Sequence, residues 1–226
     1  MLIQKTTLAF LKDLAANNDR DWFQSNKPRY EAARANVAEW TDELMNRLHE
    51  TDELETPSGK KALFRIYRDV RFSKNKAPYK TNVAGHLVRS GKLRRGGYYF
   101  SIVPGQTVIG GGFYGIERDD LKRIREELAA DGDSMREIMS DSGFLDQFGE
   151  MMGEKLKTAP KGYDREHPNI DLLRYKQFYA FRSFTDKEVT SSHFINEAHK
   201  AMLALRPFFD YFSEVLTTNA NGEIIV

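Results

Sequence analysis

The chain has 226 residues, 40% of them hydrophobic and 12% aromatic, with 34 basic and 33 acidic side chains and no cysteine. A chain of this length and apolar content can bury roughly 70% of its unfolded surface, which excludes an intrinsically disordered protein. The net charge of +1 argues against a uniformly basic nucleic-acid binder, and the missing cysteines exclude a disulfide, a thiol nucleophile and a zinc–thiolate site.

In chain order, the first third reads as helix. Leu2, Ile3, Leu8, Leu11 and Leu14 fall near helical spacing, with Thr6 or Thr7 as the cap. Asn17-Asn18-Asp19 breaks that pattern, and Asp19 is placed to cap a short turn carrying Trp22 and Phe23. A longer helix is predicted from about Pro28 to His49, its apolar face formed by Tyr30, Ala33, Val37, Trp40, Leu44 and Leu48. Thr56-Pro57-Ser58-Gly59 is a turn cluster.

The texture then changes. LFRIYRDVRF, residues 63–72, alternates apolar and basic residues and predicts a strand, and SKNKAPYKTN predicts a loop. VAGHLVR, GYYFSIVPG and TVIGGGFYG predict three further strands, with turns at Ser90-Gly91 and Pro104-Gly105. Strands so closely linked form an antiparallel meander, because parallel pairs need long crossovers. Helices follow at about Asp119–Ala130 and Ser134–Ser140, and Gly149–Asn169 reads as irregular. Asp171–Gln177 fits one or two helical turns, and FYAFRSF is a fifth candidate strand. Thr185 and Glu188 have capping-box spacing. Phe194, Ala198, Met202, Leu205, Phe209, Phe212 and Leu216 then make an apolar stripe that Pro207 should divide. The prediction is a single α+β domain over residues 1–226. It has a central antiparallel sheet of about four to six strands, flanked by N-terminal, middle and C-terminal helices packed over one face. No apolar run resembles a signal peptide or approaches the ~18 residues that cross a bilayer, so a cytoplasmic protein without a membrane partner is expected.

Charge is segregated along the chain. Residues 60–100 hold twelve basic side chains against one acid, Asp69, a net of +11, while the remaining 22 basic and 32 acidic residues give −10. Such a block either creates a local positive potential for anions or pairs with the acidic helices on either side. Its densest part, RIYRDVRFSKNKAPYKTN, supplies Arg65, Arg68, Arg71, Lys74, Lys76 and Lys80 as candidate ligand-binding residues. Arginine grips phosphate or carboxylate with paired donors, and lysine adds a compact charge. Asp69 would orient the guanidinium groups or, if buried, act as a general base.

Two other stretches stand out. Gly110-Gly111-Gly112 sits inside an apolar strand and suits either a bulge and close packing or the approach of a ligand, which would place Gly111 and Gly112 at the cradle. It is neither a dinucleotide fingerprint nor a phosphate loop. LKTAPKGYDREHPNIDLLRYKQ, residues 156–177, ends in Lys176, a further ligand-binding candidate. The five histidines show no metal-ligand spacing, and His86, beside the basic block, is the one candidate acid–base residue among them. No nucleophile elbow is present. The sequence therefore names no metal and no cofactor, and an enzymatic role would rest on Asp69, Tyr79 or His86.

The Arg65–Asn82 motif, followed by YYFSIVPG, GGGFYG and LKTAPKGYDREHPNIDLLRYKQF, and preceded by WFQSNKPRYEAARANV at residues 22–37, resembles the bacterial and fungal family called domain of unknown function 2461. The resemblance spans nearly the whole chain without a serious departure. It implies one whole-family domain and supplies no substrate, cofactor or catalytic residue. The expectation from the residues is binding of an anionic, phosphate-bearing small molecule. The alternatives are a nucleic-acid-binding module on the same basic-aromatic face, using Tyr67, Phe72, Tyr79, Tyr98, Tyr99 and Phe100, or a protein-interaction or structural role through self-association. The sequence leaves the oligomeric state open.

Overall fold

The computed structural model describes residues 1–219 and 221–226. Helices α1 (Lys5–Ala16), α2 (Arg20–Ser25), α3 (Lys27–Leu48) and α4 (Gly59–Ala62) precede strands β1 (Val83–Val88), β2 (Gly97–Ile102) and β3 (Thr107–Phe113). Helices α5 (Arg118–Ala130), α6 (Asp133–Ser140), α7 (Ser142–Phe148) and α8 (Ile170–Leu173) follow, then β4 (Phe178–Phe184) and helices α9 (Asp186–Val189), α10 (Phe194–Leu203) and α11 (Arg206–Thr217). The four strands form one antiparallel sheet in the order β1-β2-β3-β4. The chain is therefore α+β.

Several elements start and stop where local chemistry dictates. The Asp19 carboxylate accepts the Trp22 amide at 2.9 Å and starts α2. Thr185 and Glu188 form a reciprocal capping box on α9. Leu205 separates α10 from α11, and Pro207 occupies the first turn of α11, where its missing N–H costs nothing. Thr6 and Thr7, by contrast, lie inside α1, whose N-cap is Gln4. Thr7 is buried and donates to Asn36 Oδ1 at 2.8 Å, so a tertiary bond takes the hydroxyl expected to cap.

Residues 63–72 form no regular strand. Only isolated antiparallel bridges exist there, Leu63 with Gly85 and Tyr67 with Tyr79. Pro78, next to the bridge residue Tyr79, carries no N–H, so the ladder cannot run on through it. Helix α7 had no counterpart in the sequence pattern. Asp141 caps it by accepting from the Phe144 amide at 3.0 Å.

Contacts sort the chain into two compact units. The first comprises Met1–Leu87, Tyr99–Ile109 and Ser183–His199. Its core is set by α1, α3 and the first half of α10 (Phe194, Ile195 and Ala198), whose apolar side chains are almost wholly buried. Trp40 is its centre, stacked on Phe194 at 5.2 Å and edge-on to Phe100 at 5.5 Å. A buried ring of this size contributes about 1.5–3 kcal/mol through the apolar surface it removes from water. The second unit comprises Val88–Tyr98, Gly110–Arg182 and Lys200–Val226. There Phe208, Phe209 and Phe212 of α11 pack against Phe113, and Phe212 packs on Phe178. No helix among the described residues is long and apolar enough to cross a membrane.

The glycines of β3 belong to this second packing problem. A Cβ at Gly110 would stand 1.9 Å from the Ala180 carbonyl oxygen, and one at Gly111 would meet Gly97 O at 2.5 Å and Phe209 at 2.9 Å. Gly112 has φ of +144° and would meet Phe178 O at 2.4 Å. Gly115, two residues past the strand, has open space around it. Gly110→Ala is therefore expected to lose roughly 1–3 kcal/mol or more by overpacking, while Gly115→Ala stays within about 0.5 kcal/mol. Paired urea denaturation curves measure both, and equal midpoints would contradict the packing account.

Candidate functional site

The Arg65–Asn82 segment is an arm of the first unit that leaves α4 and returns to β1. Its base is tied by Phe64 N donating to Ala84 O at 2.9 Å. Further out, Arg68 N donates to Pro78 O at 2.9 Å and Lys80 N to Ile66 O at 2.8 Å, on either side of the Tyr67–Tyr79 bridge. Tyr79 is only 3% exposed, and its ring lies on Phe23 at 4.0 Å with an 18° interplanar angle. The Asn18 side chain accepts from Tyr79 N at 3.1 Å and donates to Tyr79 O at 3.0 Å. Helix α3 supports the other side. Arg34 donates to Phe64 O at 3.4 Å and Lys60 O at 3.3 Å, and its charge lies near Tyr30, whose ring packs on Phe23.

The six candidate cations of the arm divide by what holds them. Arg68 donates from Nη1 to Ala77 O at 2.9 Å, and Lys76 donates to Val70 O at 3.0 Å. These two brace the arm internally. Arg71 grips Asp69 through Nε and Nη2, the shortest contact being 2.7 Å, with both side chains exposed. The Lys80 ammonium sits 5.4 Å from the centre of the Phe64 ring. Arg65 and Lys74 are exposed and make no hydrogen bond or ion pair among the described residues. Three rings share this surface, with Phe64 45%, Tyr67 56% and Phe72 97% exposed.

The proposed acid–base residues are each engaged separately. Hydrogen bonds from Arg71 hold the Asp69 carboxyl below the usual range, which weakens it as a base. Burial pushes the Tyr79 hydroxyl up, with the neighbouring Tyr67 adding to it. Burial lowers His86, which lies half-buried on β1. No hydrogen bond joins any two of the three among the described residues.

Gly111, Gly112 and Lys176 belong to the second unit. Close packing accounts for both glycines. Lys176 Nζ meets Glu154 Oε1 at 2.6 Å, and its backbone N–H donates to Glu154 O at 2.7 Å. Four cations of the +11 block, Arg89, Lys92, Arg94 and Arg95, also lie in that unit, and Arg89 is paired with Asp210 and Arg95 with Asp120 of its helices. Arg89 is 2% exposed and also donates to Ser213 Oγ and Arg95 O. The block is thus part ion-pair network, part exposed arm.

Sequence reasoning missed Asn18 and Arg34. Asn18 read only as a helix breaker, although an amide beside the end of a helix is free to clamp a distant strand. Arg34 was hidden in α3, where its position one turn after Tyr30 was the available signal. Two surface cavities, of about 800 and 620 Å³, are lined by other residues, α5 and α11 in the second unit and α1 and α9 in the first. Among the described residues, no group of three or more His, Asp or Glu side chains is placed to hold a metal ion.

A family model described as a conserved hypothetical protein, DUF2461, matches residues 6–211. No curated protein matches the chain, and no solved structure does.

The lowered pKa values of His86 and His199, both caused first by burial, carry a sign for stability. The unfolded chain takes up these protons near the usual value of 6.5, before the folded chain does. Stability is therefore full above that value and declines as pH falls below it. Urea midpoints should drop from neutral to mildly acidic pH, and His86→Gln should flatten part of the drop. A His86 ring that protonates at or above 6.5 by NMR titration would contradict this.

Proposed function

The chain belongs to the DUF2461 family of conserved hypothetical proteins, and from that premise we propose that it binds a phosphate-bearing anion on the solvent face of the Arg65–Asn82 arm. The observation that carries this reading is the division of labour among the arm's cations. Arg68 and Lys76 are spent on holding the arm's shape, and Arg65, Lys74 and Lys80 remain for a ligand on a frame tied by those bonds and the Tyr67–Tyr79 bridge. A preformed frame lowers the entropy cost of association.

Each cation has a role that follows from its chemistry. The Arg65 guanidinium presents paired donors suited to two phosphate oxygens. Lys74 and Lys80 add compact charges without a fixed direction. Arg71 keeps Nη1 outside its bonds to Asp69, so that carboxylate fixes the guanidinium plane while one donor group stays uncommitted. The reading is of binding, in the reducing interior that suits a cysteine-free chain.

Arg65→Glu combined with Lys74→Glu is expected to weaken binding of a short inorganic polyphosphate by about tenfold or more, with little change in thermal stability, because neither side chain is used in the fold. Wild-type binding should also weaken steeply with added salt. Equal affinity of the double variant and the wild type, measured by isothermal titration, would sink the proposal.

A further inference from the structure

The exposed rings of the arm have no task in an account built on phosphate alone. Phe64, Tyr67 and Phe72 fall within nine residues, and Phe72 presents almost its entire side chain to solvent. Two of the three carry a cation at their side: the Lys80 ammonium 5.4 Å from the Phe64 centroid, and the Arg71 guanidinium 5.9 Å from that of Phe72. The third is seated on the anchored Tyr79 ring at 5.7 Å, and Phe64 has Tyr99 beside it at 6.4 Å. Exposed rings and cations thus adjoin within one short braced segment.

Resting on the anion-binding reading above, we propose that the arm's ligand is a single-stranded nucleic acid, its phosphates on Arg65, Arg71, Lys74 and Lys80 and its bases stacked on Phe64, Tyr67 and Phe72. The chemistry of the surface selects this class. A small phosphorylated metabolite would use converging donors in an enclosed site, whereas these cations are spread along an open arm with half-exposed to fully exposed rings between them. A duplex keeps its base faces stacked inside and offers nothing to the rings. A single strand offers both a regular line of charge and a π-face at each nucleotide, and every base has such a face, so sequence-tolerant binding is expected. A modest number of phosphate contacts fits a protein whose total charge is only +1, because the attraction is local to the arm.

The test compares two polyanions on the full chain, a short deoxythymidine oligonucleotide and an inorganic polyphosphate of matched charge. The oligonucleotide should bind more tightly by fluorescence anisotropy competition. Phe72→Ala and Phe64→Ala should each weaken it by about fivefold or more and weaken polyphosphate by a clearly smaller factor, with circular dichroism and thermal melts showing that the variants are folded. Arg65→Glu with Lys74→Glu should weaken both ligands. Equal binding of the two polyanions, or ring variants that bind the oligonucleotide as the wild type does, would overturn the nucleic-acid assignment and leave the anion site standing. Tighter binding of a duplex than of the single strand would overturn it as well. Binding of neither polyanion would remove the anion site and this inference together.

Discussion

Tyr79 enters the interior of the first unit with both of its backbone hydrogen-bonding groups taken by the single side chain of Asn18 and its ring laid on Phe23. Burying such a ring yields about 1.5–3 kcal/mol, and the amide clamp prevents the cost of a desolvated backbone. The anchor matters because of what lies on either side of it. Arg65, Arg68, Arg71, Lys74, Lys76 and Lys80 crowd one short segment with Asp69 as its only acid, so mutual repulsion favours an expanded arm. Tyr79 fixes one limb, the bridge to Tyr67 fixes the other, and Arg68 and Lys76 convert two of the repelling charges into hydrogen bonds with the arm's own carbonyls. A cationic segment is thereby given a shape without being neutralised.

The same balance explains how a net charge of +1 coexists with a basic surface. The +11 block divides according to packing. Arg89 and Arg95 face acids contributed by α11 and α5 in the second unit, and burial of the Arg89 guanidinium is tolerable only because Asp210, Ser213 and a carbonyl receive its donors. In the first unit the arm has Asp69 alone, already committed to Arg71. Ion pairing accounts for Arg89 and Arg95 in the second unit, and the proposed anion site draws on the exposed cations of the first.

The sequence made the regular parts of the fold legible. The three meander strands, the long α3, the Asp19 cap, the Thr185 capping box and the division of the last helix near Pro207 all follow from local signals, each complete within a few residues. The arm was not legible as an arm. Alternation over residues 63–72 is a strand signal, but a strand needs a partner able to donate along its length, and Pro78 is not one. Thr7 failed as a cap for a similar reason, since Asn36 lies 29 residues away and competes for its hydroxyl. The triple glycine could be read as packing or as ligand approach, and only the neighbouring carbonyls of Gly97, Phe178 and Ala180 decide for packing. Asn18 and Arg34 act on residues far along the chain, where no pattern in their own neighbourhoods points.

The contacts that shape the arm also count against acid–base chemistry at Asp69 and Tyr79. A general base works best with a pKa near the working pH, yet Arg71 draws Asp69 downward and burial drives Tyr79 upward, away from that point in opposite directions. Each of the two is in the protonation state that serves structure: an ionised carboxylate to orient a guanidinium, a neutral phenol to fill a stack. Asp69 within a basic arm is then a positioning device. It holds Nε and Nη2 of Arg71, which fixes the guanidinium plane beside the exposed Phe72 and would direct the remaining donors toward the anion proposed above. In the proposed binding role, an arm without that acid would attract any polyanion more strongly and distinguish among them less well.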